Sequence, residues 1–323
     1  MKYKYLVSLA LICALVSCRK DEAATNTTAA TQDSIVIKVL AGNFLSGGLA
    51  EPISIETRTL SNGSTAECFK IVTKSTPTDH VQGPWCPTNI SDDASKGGIW
   101  LENGNVYDVD GAFIKNLATF YSNTTWQMYN TTTGEITKTL TQADCQAAAN
   151  PNVGVQYKNY CVECLPSYVS TLTKTIYIPV TPVKLSSPTS FGAGPNSSGP
   201  STRGIAFNGV IFDAPAPVNA ILGAYTLAPF DDAGGHINMG AGYHYHAATG
   251  KSTKITQADG HAAMIGYALD GYGLYERLSA AGTEYTDLDV SRGHYDSVRG
   301  YHYHVDKAGA NNFINSLAGA YAK

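Results

Sequence analysis

Stretches in which apolar and polar residues alternate, or in which β-branched residues dominate, recur along the chain. Alternate side chains of a strand point to opposite faces of a sheet, so these stretches predict β-strands. In the first part of the chain the predicted strands are residues 35–40, 53–59, 67–73, 126–129, 135–140 and 171–183. Further strand-turn-strand units are predicted over residues 204–212 and around the hairpin signal Asp270-Gly271.

Helical spacing of apolar residues is found in few places. It predicts a helix over residues 111–121, and shorter helices are expected over 142–150 and 311–321. The predicted fold class is therefore mainly β with a few short helices, a β-rich α+β protein.

Two stretches of the second half share one pattern of aspartate, glycine, tyrosine and histidine. Residues 231–246 and 289–304 both read D-x3-G-H-x5-G-Y-H-Y-H, without insertion and offset by 58 positions (289 − 231 = 58). Seven of the eight histidines lie between His236 and His304. We therefore expect a C-terminal domain that contains an internally duplicated, histidine-rich β unit.

Composition divides the chain into four segments. These are a signal peptide (1–17), a flexible tether rich in Ala, Thr and Asn (18–34), an N-terminal β-rich region (35–170) and the domain with the two repeats (171–323). The boundary between the last two is expected between residues 165 and 175.

The N-terminus has the features of a bacterial lipoprotein signal. Lys2 and Lys4 precede an apolar run over residues 6–16 that is too short to span a bilayer. The run ends in Leu15-Val16-Ser17-Cys18, which resembles a lipobox, and the basic-then-acidic residues 19–22 resemble a surface-export tag. We expect a cell-envelope protein anchored to the outer membrane through a lipid on Cys18 and exposed at the cell surface. The alternative is an ordinary cleaved signal peptide.

Charge argues against one class of partner. Without Lys2 and Lys4 the chain has 20 basic residues (22 − 2) against 26 acidic residues, a net charge of −6 (20 − 26). This balance gives no electrostatic reason to bind nucleic acid.

Five cysteines follow Cys18, and an oxidising envelope favours structural disulfides with one thiol left over. The expected bridges are Cys68 with Cys86, and Cys145 with either Cys161 or Cys164. The C-x-x-C spacing of Cys161 and Cys164 also fits redox chemistry or half a zinc site, but no second C-x-x-C accompanies it.

The repeated Tyr-His-Tyr-His tetrapeptide has the spacing of a metal-binding strand. In an extended chain both histidines point to one face and both tyrosines to the other. Imidazole nitrogens suit transition metals, so Zn or Cu is the expected cofactor. Asp231 and Asp289 are expected either to coordinate or to orient a ring. If the repeats pair around a pseudo-twofold axis, a single cleft would be lined by His236, His244, His246, His261, His294, His302 and His304.

These residues resemble the YHYH-domain family of bacterial envelope proteins. The resemblance covers about residues 80–125 and 176–323, and the duplicated motif is its most specific part. It implies an extracytoplasmic protein but no established reaction. Many members carry a cysteine three residues before each Gly-His histidine, whereas this chain has Ala233 and Ser291 there. The absence of these cysteines favours a site built only from histidine and aspartate.

Three classes of function remain open. The alternative to all three is that the repeats form a well-packed hairpin in which the buried imidazoles have only a structural role. The first is a transition-metal site, catalytic or storage-like. The second is a metal-independent hydrolase or lyase acting on an extracellular polymer, in which His261 is the base and Tyr245 or Tyr303 the acid. The third is a surface module that stacks glycans on exposed aromatic residues.

Overall fold

The computed structural model describes residues 35–150, 152–192 and 199–323. The predicted signal peptide (1–17), the tether (18–34) and the lipidation site Cys18 lie outside these residues. All of these described residues belong to one compact unit. Within the described part of the chain, no helix has both the length and the apolar character needed to cross a membrane.

The described residues are mainly β, as predicted. In chain order the strands are β1 (Ser54–Thr59), β2 (Thr65–Lys74), β3 (Ile99–Glu102), β4 (Asn105–Asp108), β5 (Tyr160–Cys161), β6 (Thr173–Pro179), β7 (Lys184–Ser190), β8 (Gly204–Ala206), β9 (Ile211–Phe212), β10 (Thr226–Leu227), β11 (Gly235–Asn238), β12 (Gly242–Tyr245), β13 (Met264–Ala268), β14 (Gly273–Tyr275), β15 (Gly293–Asp296), β16 (Gly300–His304) and β17 (Ser316–Gly319). The α-helices of the same residues are α1 (Gly111–Phe120), α2 (Gln142–Ala148) and α3 (Val218–Gly223).

Several predicted elements are confirmed. Strands β1 and β2 form an antiparallel hairpin, and β6 pairs with the other edge of β2. Asp110 caps the N-terminus of α1, because its side chain accepts a hydrogen bond from the Phe113 N–H, and Thr141 forms a capping box before α2. Because β2 and β6 share a sheet, the two regions predicted on either side of residue 170 are joined by strand pairing. Their division between 165 and 175 stays a prediction.

Other predicted elements are wrong. Residues 35–40 form no strand, and 126–129 and 135–140 make only single bridges, such as that between Tyr129 and Ile136. Residues 311–321 are not a helix, because the chain there forms β17, which pairs with β7. The apolar residues of that stretch are buried on a sheet and not along one side of a helix, so tertiary packing overrides the local pattern.

The cysteines form one predicted bridge and one that was not predicted. Cys145 is bonded to Cys164, as expected, and Cys86 is bonded to Cys161. Cys68 is a buried free thiol within β2, so the predicted bridge between Cys68 and Cys86 is wrong. The C-x-x-C pair contributes to two different disulfides and is therefore structural.

An eight-stranded sheet carries both histidine repeats, in the order β11-β12-β9-β8-β13-β14-β16-β15. Each half contains an antiparallel hairpin (β8–β9 or β13–β14) followed by a second hairpin that joins it through a parallel pair. The halves meet where β8 and β13 pair antiparallel, with Ile205 opposite Tyr267. Since 205 + 62 = 267, each of these residues faces its own counterpart. The sheet therefore has a pseudo-twofold axis, and the duplication extends well beyond the two motifs.

The tyrosines of both motifs are buried on one side of this sheet. They belong to one hydrophobic core, together with Phe212, Leu274 and Phe313. The histidines of the motifs therefore lie on the other side, as the alternation of a strand requires.

Candidate metal centres

The seven histidines of the second half form two separate centres. The three-histidine centre contains His236, His244 and His246, and the four-histidine centre contains His261, His294, His302 and His304. Within each centre the ligand nitrogens all lie within 4.8 Å of one another. Three histidines of each centre come from one repeat, around the hairpin β11–β12 or β15–β16, in which the leading histidine is paired with the first histidine of the tetrapeptide.

The expected shared cleft is therefore wrong. The tetrapeptides lie on β12 and β16, which are five strand-to-strand steps apart in the sheet. At 4.7–4.9 Å per step this is roughly 24 Å along the sheet. The pairing of β8 with β13 at the pseudo-twofold axis holds the two motif hairpins at opposite edges.

The four-histidine centre is assembled through the Nε2 atoms of its rings. The Nε2 atom of His294 lies 3.0 Å from that of His302 and 3.2 Å from that of His304. The Nε2 atom of His302 is also 3.1 Å from that of His261. His261 approaches from the segment before β13, outside the repeated motif.

Hydrogen bonds at Nδ1 fix the orientation of these rings. Nδ1 of His302 lies 2.9 Å from the Gly300 carbonyl oxygen, and Nδ1 of His304 lies 2.8 Å from that of Glu276. Nδ1 of His261 lies 3.1 Å from the Ala262 carbonyl oxygen. A carbonyl oxygen only accepts hydrogen bonds, so each of these Nδ1 atoms carries the proton. In the neutral ring Nε2 then presents a lone pair to the middle of the centre.

His294 is oriented by a carboxylate. Its Nδ1 lies 2.8 Å from Oδ2 of Asp287. A carboxylate on the remote nitrogen of a metal-binding histidine fixes its orientation and raises its basicity. Asp287 lies two residues before the motif and was not singled out from the sequence.

Converging lone pairs at this spacing fit a cation. Four neutral imidazoles with inward lone pairs repel one another unless a positive charge lies between them. A tetrahedral zinc ion with Zn–N bonds of about 2.0–2.1 Å would hold its ligand nitrogens about 3.3–3.4 Å apart. The separations of 3.0–3.2 Å between the Nε2 atoms are close to this value. The donor set therefore suits a transition metal.

The three-histidine centre is oriented in the same way. Nδ1 of His244 lies 2.9 Å from the Gly242 carbonyl oxygen, and Nδ1 of His246 lies 2.6 Å from that of Ala214. The Nε2 atoms of His246 and His236 are 3.1 Å apart. Hydrogen bonding to the backbone of Ala228 opposes in part the effect of burial on the pKa of His236. Three inward lone pairs again converge.

Burial keeps these imidazoles neutral. It lowers the pKa of His236 and His246 well below the usual value, and the neighbouring histidines add to the effect. Burial likewise lowers the pKa of His302 to about 3 and that of His304 to about 2. The unprotonated ring is the form that binds a metal, so these four rings are ready to act as ligands at neutral pH.

The two centres differ in what surrounds them. A cavity of about 260 Å³ adjoins the three-histidine centre and is lined by His236, His244 and His246. In the four-histidine centre the tyrosine rings of Tyr275 and Tyr285 pack against the histidines. Three protein ligands with free space beside them are typical of catalytic metals, whereas four are typical of structural ones.

The difference arises at two positions outside the motif. Asp213 lies at the end of β9, where the hairpin offset of 62 residues places Tyr275 in the other half (213 + 62 = 275). Nothing on the first half corresponds to His261, because residue 199, at the same offset, is a glycine. The first half therefore lacks both the fourth imidazole and the ring that covers it.

Asp231 and Asp289 belong to neither centre, so the prediction that they coordinate a metal or orient a histidine ring is not supported. Each accepts a hydrogen bond from the first tyrosine of its own tetrapeptide, Tyr243 at 2.8 Å and Tyr301 at 3.0 Å. Each also accepts backbone N–H groups of the turn that follows it. Their role is to close the turn and to anchor the tyrosine face. The glycine before each leading histidine is needed there, because a Cβ atom on Gly235 would lie 2.6 Å from the Tyr243 ring.

Tyr245 and Tyr303 are poorly placed for the predicted role of general acid. Both are buried on the side of the sheet away from the histidines, and burial raises the pKa of each well above 10. The Tyr245 hydroxyl accepts a hydrogen bond from Asn208, and the Tyr303 hydroxyl donates one to Asp270. His261, the third residue predicted to be catalytic, is a member of the four-histidine centre.

Comparison with known proteins identifies part of the chain. Residues 175–285 match the family model described as YHYH protein. The match includes the first motif and His261 and ends before the second motif. No curated protein and no solved structure matches the chain significantly. This match supports the resemblance of residues 175–285 to the YHYH protein family.

Proposed function

We propose that this protein binds two transition-metal ions, one in each histidine centre. The observation that carries the proposal is the common orientation of the rings. Their Nδ1 atoms are engaged by oxygen acceptors, so the Nε2 lone pairs converge at 3.0–3.2 Å. Zn and Cu are the favoured ions because imidazole suits both, whereas Ca and Mg prefer oxygen ligands.

The two centres would have different roles. The four-histidine centre would hold its ion with protein ligands alone and brace the hairpin β15–β16 against β14. The three-histidine centre would leave a coordination position open towards its cavity, which is the arrangement that a reactive metal needs. The chemistry that such an ion supplies is polarisation of a bound ligand or activation of water. We therefore propose that any catalysis takes place at the three-histidine centre.

The burial of the tyrosines weighs against the metal-independent alternative. An acid that transfers a proton to a substrate must be within hydrogen-bond reach of it. Tyr245 and Tyr303 are buried behind the sheet and engaged by Asn208 and Asp270. The metal-binding proposal uses histidines that line a cavity, and it requires no rearrangement of the hydrophobic core.

We also propose that the protein acts in the cell envelope, held at the outer membrane by a lipid on Cys18. The basis is the lipobox-like sequence alone.

Elemental analysis tests the metal proposal. The protein should be purified without a histidine tag, stripped with a chelator, and supplied with Zn, Cu, Ni or Mn. We expect uptake of two ions per chain and a rise in melting temperature, because a ligand that binds only the folded state stabilises it. Absence of metal from the purified protein, together with an unchanged melting temperature for all four ions, would refute the proposal.

A further inference from the structure

We propose that the cavity of the three-histidine centre binds a small, uncharged organic molecule with a hydroxyl group, and that Asp213 selects for that hydroxyl. This inference rests on the proposed metal at the centre and names the class of ligand that it would act on.

The size of the cavity limits the ligand. Its volume of about 260 Å³ is below the range of roughly 300–1,000 Å³ that is usual for sites of drug-sized ligands. A cavity of about 150 Å³ is enough for benzene. The space therefore admits one substituted ring or a molecule of similar size, but not a length of polysaccharide.

The rest of the cavity lining is largely apolar. It includes Ala148, Val162, Ile221 and Ala228. Among the described residues no lysine or arginine lines the cavity, and of its two acidic residues, Asp213 and Glu163, Glu163 is paired with Lys138. A ligand with an anionic group directed away from the histidines would find no cation there. This favours an uncharged molecule.

Asp213 supplies a carboxylate on the histidine side of the cavity. It follows Ile211, which pairs with His244, and its backbone N–H donates to the Tyr245 carbonyl oxygen. Its side chain lines the same cavity as His236, His244 and His246. Among the described residues it accepts one hydrogen bond, from the Ala214 N–H, and it makes no salt bridge.

This placement gives a hydroxyl two partners. Its oxygen has lone pairs for an ion held by the three histidines, and its proton can be donated to Asp213. An ether of the same shape keeps the first interaction and loses the second. A site built to hydrogen-bond a hydroxyl rejects an analogue that lacks one, because its own polar group is left without a partner. The other half of the sheet has the Tyr275 ring in place of Asp213 and the additional imidazole of His261, so it offers no comparable space.

Phenol and its methyl ether, anisole, provide the test. Their binding to the zinc-loaded full-length protein is measured by calorimetry, and zinc content is measured in parallel. We expect anisole to bind at least ten-fold more weakly than phenol, and 4-hydroxybenzoate, which adds a carboxylate, to bind at least ten-fold more weakly as well. In Asp213→Leu the preference for phenol over anisole should disappear while the zinc content is unchanged.

A control variant makes the same change at an exposed carboxylate that does not line the cavity. Asp232→Leu should leave the preference for phenol intact. Equal binding of phenol and anisole to the wild type, no phenol binding at all, tighter binding of 4-hydroxybenzoate, or a preference that persists in Asp213→Leu would each overturn the inference. Failure of the metal proposal itself can be distinguished, because the wild-type protein would then contain no zinc.

Discussion

Asp270 should make the stability of the protein fall as the pH rises from about 4 to 7. Its carboxyl group is fully buried, and burial raises its pKa from 3.8 to about 6. The Tyr303 hydroxyl donates to this carboxyl at 2.6 Å and the Gly319 N–H at 2.8 Å, which opposes the shift only in part. The folded state therefore holds the proton more tightly than the unfolded state does.

The sign and size of the effect follow from that difference. Below pH 4 the group is protonated in both states and carries no penalty. Between pH 4 and 6 the unfolded chain releases the proton and the folded chain keeps it, so stability is lost as the pH rises. A difference of about two pKa units corresponds to a loss of about 3 kcal/mol in the free energy of unfolding. This loss is complete above about pH 6.

Asp270→Asn isolates this contribution, because the amide does not ionise. The other half of the sheet already has an asparagine, Asn208, at the equivalent turn (208 + 62 = 270). Urea unfolding of chelator-stripped wild type and variant should be compared at pH 4, 5, 6 and 7. The stability of the variant relative to wild type should rise by about 3 kcal/mol from pH 4 to 7. A difference that is constant with pH would refute the reasoning.

Three further predictions concern single residues. Asp231→Ala should lower the free energy of unfolding by about 3 kcal/mol, because it leaves the Tyr243 hydroxyl and the turn N–H groups unpaired. The metal content of the folded protein should not change. Denaturation measures the first effect and elemental analysis the second. Asp287→Asn should weaken metal binding by on the order of ten-fold at the four-histidine centre alone, measured by chelator competition, and equal weakening at both centres would contradict this. Cys18→Ser should leave unprocessed precursor in the cell, whereas the wild type should partition into detergent; a wild type cleaved elsewhere and found in the aqueous phase would contradict the lipid anchor.

The motif itself was predictable in its main features. Strand alternation placed the histidines of each tetrapeptide on one face and the tyrosines on the other, and the structure has this arrangement. The aspartate that opens each repeat was expected to coordinate the metal or to orient a ring, but Asp231 bonds to the turn and to the tyrosine. Sequence spacing does not tell which face of the sheet a residue before the strand will reach.

The separation into two centres could not be predicted from the repeats. It depends on the pairing of β8 with β13, two short strands with little local signal of register. A useful signal was nevertheless present in Asn208-Gly209 and Asp270-Gly271, two turns that are equivalent at an offset of 62 residues. The motifs have an offset of 58, and this change of four residues hides the extended duplication. Asp213 and Tyr275 become comparable only once the turns are aligned.

The number of metal ions bound by single-histidine variants tests the central claim most directly. Zinc content is measured by elemental analysis for the wild type, His244→Ala, His302→Ala and His80→Ala. His80 is the control, because it lies on the tyrosine side and contacts Asp79 and the Tyr243 hydroxyl. We predict two ions in the wild type and in His80→Ala, and one ion in each of the other two variants. No zinc in the wild type, or the same loss in all three variants, would contradict the account.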